Sequence, residues 1–202
     1  MRLKTGVKAD GAITALDFEV ILDGGAYGSY GVVTTHYVGA LQTVTYHVPT
    51  YRFQGARLLT NKPPCGPKRG HGTPQPRFAL EIQLDKIAEK LSINPLDLRL
   101  NHLALPYSQT ANHLTITTIG LGDCLQAVAE RSAFRARYGQ LPLGRGLGVA
   151  AGAYVTGAAR PIYANQMPHA GVQLLLDRGG GVTVFCGSTD IGQGSDSILA
   201  MI

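Results

Sequence analysis

"TNKPPCGPKRGHGTPQPRF", residues 60–78, separates two kinds of sequence. Ahead of it, in "ITALDFEVIL" (13–22), Leu16, Phe18, Val20 and Leu22 take alternate positions, the period of a half-buried strand. The Asp10-Gly11 pair before them is hairpin-turn chemistry, so the N-terminus reads as a β-hairpin. Behind it, Leu84, Ile87, Ala88 and Leu91 recur at i, i+3, i+4 and i+7, the stripe of a helix. The stretch between is too rich in proline and glycine for either and reads as a loop. Strands, a loop and then helices make an α+β fold.

Outward from there, "GGAYGSYGVVTTHYVGALQTVTY" (24–46) is dominated by glycine, tyrosine and β-branched residues, which predicts short strands or extended loops. A second helix starts at Asn94-Pro95-Leu96-Asp97, where Asn94 can cap, Pro95 suits the first helical position and Asp97 complements the dipole. Residues 106–120 form a polar connector. A third helix is expected over 123–138, with Leu125, Val128, Ala129 and Ser132 on one face and Gly139 as its stop. From 145 onward β patterns resume in "GRGLGVAAGAYV", "AGVQLLLD" and "GVTVFCGSTD". A domain boundary is expected within 107–122. The first arm starts in mid-strand and "DSILAMI" ends as an apolar helical pattern begins, so the chain is expected to be a piece of something longer.

Bulk properties narrow the function classes. With 202 residues, 45% of them apolar, the chain can bury a real core and could hold one large domain or parts of two. Its longest apolar runs, such as "LGVAAGAYV" (147–155), fall far short of the roughly 20 residues of a membrane span, and Met1-Arg2-Leu3-Lys4 leads into no signal core. A soluble, cytoplasmic protein without a membrane partner is expected. Cys65, Cys124 and Cys186 are too widely spaced for a disulfide framework or a CxxC metal pair. The net charge of +5 is scattered, which suits anionic ligands, while the lack of a basic stripe or aromatic recognition motif argues against nucleic acid.

Two loops carry the candidate chemistry. Lys68-Arg69-Gly70-His71-Gly72 offers two cations and amides with little side-chain obstruction, suited to an oxyanion or phosphate; a proline-stiffened surface turn accounts for it equally well. The Walker pattern is absent. In "DIGQGSD" (190–196), Gly192 and Gly194 bare the backbone around Gln193, whose amide can donate and accept; turn chemistry serves here too. His36, His47, His71, His102, His113 and His169 show no metal-ligand spacing and read as structural. Cys65 and Cys186, each beside a glycine-rich loop, read either as reactive thiols or, more simply, as small buried ones, and Asp23 and Asp177 as turn-shaping residues at strand ends.

Together, "DGGAYGSYG" (23–31), "TNKPPCGPKRGHGTPQPRFALE" (60–81) and "GSTDIGQGSD" (187–196), in this order, resemble the molybdenum-binding large subunit of the xanthine dehydrogenase and aldehyde oxidase family. The resemblance runs through essentially the whole chain. Among members, the opening loop and tyrosine-rich region look most like 4-hydroxybenzoyl-CoA reductase.

The resemblance implies a fragment spanning the end of a first molybdopterin-binding domain (1–107), a connector (108–122) and the start of a second (123–202). It implies that Lys68, Arg69 and Gly70, with Ile191, Gly192 and Gln193, contact a molybdopterin cytosine dinucleotide, the Arg69 backbone lying near molybdenum. It implies that His71, Tyr37 and Tyr163 line the substrate pocket. Tyr37 falls where purine-oxidising relatives carry an arginine, which disfavours purines and fits a phenolic ring. The family's catalytic glutamate lies beyond this stretch, so no catalytic residue is expected here and the fragment is expected to be inactive alone. Iron-sulfur clusters and FAD would reside on partner subunits. The implied reaction is reductive dehydroxylation of 4-hydroxybenzoyl-CoA or a related aromatic acyl-CoA. The alternatives are hydroxylation of aldehydes or N-heteroaromatics, and a noncatalytic anion-binding module.

Overall fold

Strand β1 (Arg2–Val7) pairs antiparallel with β2 (Ile13–Asp23), setting Leu3 opposite Phe18. Gly11, at φ 90°, makes the turn between them, and Asp10 accepts the Ala12 amide at 2.9 Å, as the hairpin chemistry predicted. Alternation holds along β2: Leu16, Phe18 and Val20 are buried while Asp17 and Glu19 are not. β3 (Tyr51–Leu58) adds in parallel on the other side of β2, giving the order β1-β2-β3. The computed structural model describes residues 1–154 and 171–202, which belong to two compact units, Met1–Val155 and Thr156–Ile202.

A parallel pair needs a crossover, and the chain supplies helix α1 (Gly31–Ala40) within the stretch expected as strands or loops. The β-branched residues that argued for strand are accommodated by local bonds: Thr34 and Thr35 donate their hydroxyls to the Tyr30 and Gly31 carbonyls at 3.2 and 2.9 Å. Tertiary burial then overrides propensity, because Val38 packs into a cluster with Phe18 and Val20. Gly39 lets the helix approach β3, since any side-chain carbon there would meet the Phe53 ring.

Helix α2 (Pro74–Leu91) starts earlier than its apolar stripe announced, so the loop ends at Thr73 and Pro74 takes the first helical position. α3 (Pro95–Asn101) begins as expected, with the Asn94 side chain accepting the Leu96 amide at 3.0 Å. Leu80, Leu84 and Ala88 of α2 and Leu98 of α3 share a core cluster with Ile13, Leu16, Tyr46 and Val48. Each large apolar side chain fully buried there contributes about 1.5–3 kcal/mol.

The rest of this unit departs in detail. The polar connector contains a short antiparallel pair, β4 (Ser108–Gln109) with β5 (Thr115–Ile116). The single helix expected over 123–138 is divided into α4 (Leu121–Ser132) and α5 (Phe134–Arg137) by Ala133 at φ 51°. That break turns Phe134 into a cluster with Leu96, Leu125 and Ala129, whereas Val128, expected on the same face, is 54% exposed. Residues 145–154 form no strand: Leu147 and Val149 pack on the Phe134 cluster and the Ala151 amide donates to Glu81, so side chains and one buried carboxylate hold the segment instead of a ladder.

In the second unit, β6 (Val172–Leu176) and β7 (Val182–Cys186) pair antiparallel where two strands were expected. Asp177 closes their turn by accepting the Gly179 and Gly181 amides at 2.7 and 2.8 Å. α6 (Ser195–Met201) follows the glycine-rich loop. Among the described residues no helix is long and apolar enough to cross a membrane.

Candidate functional site

The loop of residues 59–73 is tied down at both ends. At its start it runs beside the stretch following β2: Gly24 donates to the Leu58 carbonyl at 2.7 Å, Thr60 to Gly25 at 3.1 Å and Ala26 to Lys62 at 2.9 Å. Asp23 braces the same place, accepting from the Lys62 ammonium at 2.6 Å, the Thr60 hydroxyl at 2.5 Å and the Gly25 amide at 3.3 Å. Those bonds, Lys62 foremost, hold its carboxyl down at about 2. At the other end, the Thr73 amide and hydroxyl both donate to the Gly70 carbonyl, at 2.9 and 2.6 Å. The turn they close has positive φ at His71 (45°) and Gly72 (91°), the signature of a primed turn. Glycine is required at 72, because an added side-chain carbon would press on the Thr34 carbonyl oxygen of α1.

This turn carries His71 into an aromatic cluster. Its ring lies 4.9 Å from Tyr30 and 5.0 Å from Tyr37, centroid to centroid, the latter edge-on. Tyr154 approaches Tyr37 at 6.2 Å. Tyr37 is buried, while Tyr30 and Tyr154 are exposed at 57% and 49%. His71 Nε2 is buried and finds no hydrogen-bond partner among the described residues, and burial lowers the imidazole's pKa. Burial, with neighbouring Tyr37 and Tyr30, raises that of Tyr154. The four rings, inclined at 45–61° to their neighbours, form an apolar aromatic cluster that carries phenolic hydroxyls at its edges.

The structure thus brings together two of the three expected substrate residues, Tyr37 and His71; the third, Tyr163, lies outside the described residues. Tyr30 and Tyr154 were not singled out. Both sit in quoted glycine-rich stretches, yet nothing in sequence spacing shows that segments so far apart meet. Also missed was Arg57, whose Nη2 donates to the carbonyls of Gly24, Tyr27 and Gly28 at 2.7, 2.9 and 2.7 Å.

Lys68, Arg69 and Gly70 are exposed, and among the described residues neither cation forms an ion pair and the amides from Lys68 to Gly72 find no acceptor. Free donors and uncommitted positive charge in a conformation fixed by two glycines fit an anionic cofactor. The second loop is more closed. Gln193 spends its side chain inside it, Oε1 accepting the Ile191 amide at 2.7 Å and Nε2 donating to the Thr189 carbonyl at 2.8 Å and the Ser195 hydroxyl at 3.2 Å. Asp190, not singled out from sequence, accepts the Gly192 amide at 2.7 Å and the Asp196 amide at 3.3 Å, and these bonds lower its pKa. What remains to face a ligand there is the Gln193 N–H, which finds no acceptor among the described residues, and the exposed Ile191. Loops 66–72 and 190–196 belong to different units. No group of three or more His, Cys, Asp or Glu side chains converges among the described residues.

Comparison with known proteins identifies that kind of cofactor. Residues 1–103 match one molybdopterin cofactor-binding domain family and residues 124–202 match another. The chain is similar to the xanthine dehydrogenase molybdenum-binding subunit of Escherichia coli O157:H7, 32% identical over 205 residues, covering 98% of this chain and 26% of that protein. It is also similar to the aldehyde oxidoreductase of Megalodesulfovibrio gigas, 28% identical over 207 residues, covering 97% of this chain and 21% of that protein. The crystal structure of quinoline 2-oxidoreductase from Pseudomonas putida 86 superposes with a TM-score of 0.81 at 26% identity, covering 97% of this chain and 27% of that one. The chain spans about a quarter of the length of these relatives. It belongs to the molybdopterin cofactor-binding domains of the xanthine dehydrogenase and aldehyde oxidase family.

Proposed function

We propose that the full-length protein is a molybdenum-dependent oxidoreductase that hydroxylates a small aromatic substrate, an N-heteroaromatic ring or an aromatic aldehyde. The observation that carries this reading is the His71–Tyr30–Tyr37 cluster standing next to a loop with uncommitted cations and amides. A planar ring gains from stacking and edge contacts with these rings, and a ring nitrogen or carbonyl can accept from the hydroxyls of the exposed Tyr30 and Tyr154. The similarity to an oxidoreductase named for quinoline and to one named for aldehydes supports it further.

In this reading Lys68, Arg69 and Gly70, with Ile191, Gly192 and the Gln193 amide, hold a molybdopterin, as its cytosine dinucleotide form. The cofactor, once bound, supplies two-electron transfer with the substrate, and an iron-sulfur subunit and an FAD subunit carry the electrons away. His71, Tyr37, Tyr30, Tyr154 and, outside the described residues, Tyr163 orient the ring and exclude water. The catalytic base is contributed from beyond this chain. Residues 1–107 are assigned to the first molybdopterin-binding domain, 108–122 to the connector and 123–202 to the second.

A second reading, reductive dehydroxylation of 4-hydroxybenzoyl-CoA or a similar aromatic acyl thioester, is favoured by one feature: the tyrosine hydroxyls around His71 could bind a phenol. The test is the full-length protein, assayed for molybdenum, pterin and turnover of quinoline, benzaldehyde, xanthine and 4-hydroxybenzoyl-CoA. Turnover of quinoline or benzaldehyde but not xanthine is expected. Reaction of the thioester alone would replace the first reading by the second, and a full-length product without molybdenum would overturn both. Arg69→Ala should weaken cofactor retention, since losing a charge-assisted bond costs about 1.5–3 kcal/mol; an unchanged molybdenum content removes Arg69 from the site.

A further inference from the structure

We infer that Arg57 is a positioning residue for substrate, one that acts through the 24–28 loop to hold Tyr30 against His71; the inference rests on the aromatic-substrate reading above. Arg57 lies at the end of β3, and its Nη2 gathers three carbonyls from a short run of loop, Gly24 at 2.7 Å, Tyr27 at 2.9 Å and Gly28 at 2.7 Å. Among the described residues no carboxylate forms an ion pair with it, so the guanidinium serves as a cross-brace for backbone rather than as half of a charge pair.

The glycines around it are shaped to this arrangement. A side-chain carbon at Gly24 would fall 2.7 Å from Arg57 Nε, and one at Gly31 only 2.6 Å from the same atom. The guanidinium therefore occupies a slot bounded by the loop on one side and the first residue of α1 on the other. Nε itself is buried and finds no hydrogen-bond partner among the described residues. An unsatisfied N–H is a standing cost, retained here together with an orientation that lets one Nη2 reach all three carbonyls. Tyr30 lies between Gly28, the last residue braced, and Gly31, against which the guanidinium sits. On its C-terminal side the Tyr30 carbonyl is held by the Thr34 amide and hydroxyl, at 3.3 and 3.2 Å; on its N-terminal side the Arg57 brace at Gly28 constrains the chain that carries its 57% exposed side chain to His71. A lysine ammonium, a point charge on a flexible stem, does not reproduce a planar donor wedged between two glycines.

The experiment uses the full-length, molybdenum-loaded protein with Arg57→Met, Arg57→Lys and Gly31→Ala, the last displacing an intact guanidinium from its slot. Arg57→Met should raise KM for quinoline or benzaldehyde about 10-fold with kcat within about 2-fold, and Arg57→Lys should recover only part of that. KM for acetaldehyde, which has no ring to place, should not move. Chymotryptic cleavage after Tyr27 and Tyr30, and modification of His71 by diethyl pyrocarbonate, should both accelerate about 10-fold while melting temperature and molybdenum content stay at wild-type values. Gly31→Ala should reproduce the pattern.

Parallel loss with acetaldehyde, or a fall in melting temperature that accounts for the kinetics, would reduce Arg57 to a structural role and overturn the inference. Unchanged cleavage and modification would overturn it as well. Should the wild-type enzyme turn over no aromatic substrate, the functional reading fails and the substrate role given to Arg57 fails with it. The cleavage and modification rates still decide separately whether Arg57 holds Tyr30 to His71.

Discussion

Replacing Glu81 separates two ways of losing a buried charge. Its carboxylate, 5% exposed, accepts from three donors: Tyr46 Oη at 2.9 Å, Arg99 Nε at 2.8 Å and the Ala151 amide at 3.2 Å. Arg99 is 1% exposed and also reaches Asp85 at 2.8 Å and the Pro95 carbonyl at 2.9 Å. In Glu81→Gln the amide oxygen can take the position that serves Arg99 and Ala151. The amide nitrogen then faces Tyr46, whose hydroxyl can rotate to accept. The bonds to Arg99, Ala151 and Tyr46 are kept and Asp85 still neutralises Arg99, but Arg77, whose Nη1 lies 3.9 Å from Oε1, loses its carboxylate partner, so the cost should be about 2 kcal/mol. Glu81→Leu leaves Tyr46 Oη, Arg99 Nε and the Ala151 amide without their acceptor and takes the carboxylate from Arg77, while Asp85 still neutralises Arg99; breaking a buried network by removing one partner in this way costs about 3–5 kcal/mol. At about 2–4 °C per kcal/mol for a chain of this size, thermal unfolding should fall by about 4 °C for Gln and by about 10 °C or more for Leu. The measurement is the pair of melting temperatures under identical conditions. A leucine variant as stable as the glutamine variant would show that the donors find other partners, and the account of this network would be wrong.

Two further outcomes are expected. Asp23 has a folded pKa of about 2 against 3.8 otherwise, so its contribution is complete above about pH 4 and disappears as pH falls toward 2; Asp23→Asn should remove that part of the acid sensitivity. Melting curves between pH 5 and 2 check this as a difference from wild type, because Asp17, also lowered by its Arg52 partner, titrates in both proteins; curves that stay parallel throughout would refute it. Gly72→Ala should cost more than Gly139→Ala, although both glycines have positive φ, 91° and 73°. A left-handed residue costs about 1–2 kcal/mol at either place, but only at 72 does the added carbon meet a carbonyl oxygen, Gly139 having open space around it. Equal losses in denaturant titrations would rule out the close approach of the turn to α1.

What was legible in the sequence is what depends on local chemistry. The hairpin of β1 and β2, the Asn94 cap and the Asp177 turn each follow from neighbouring residues, and each is seen. Helix α1 was not legible because glycine, threonine and valine argue locally for extended chain, and the decision came from Val38 packing on Phe18 and Val20. Ala133 gives no local sign of breaking a helix; the break follows from where Phe134 is buried. At the site, the positive φ of Gly70 and Gly72 is what glycine permits, whereas the positive φ of His71 has no such local sign. The convergence of Tyr30, Tyr37, His71 and Tyr154 could not be anticipated, because it is set by tertiary contacts among separate segments.

Those contacts pass through the same carboxylate whose loss was weighed above. Glu81 lies on α2, the helix that the His71 turn leads into. Its Oε1 holds Tyr46, on the chain that continues from the helix bearing Tyr37. Its Oε2 holds Ala151, just before Tyr154. One buried group therefore sets the register of the three segments that deliver three of the four rings, and Arg57 governs the delivery of the fourth. An apolar replacement could match the network in stability, as buried ion pairs often can be matched, but it would not fix three backbones relative to one point through directional bonds. Glu81→Leu should accordingly loosen the His71–Tyr37 contact as well as lower the melting temperature, whereas Glu81→Gln, which keeps the bonds, should lower the melting temperature alone. Faster modification of His71 by diethyl pyrocarbonate in the leucine variant only would show the register being lost. Equal rates in both variants would mean that the rings are held by their own packing.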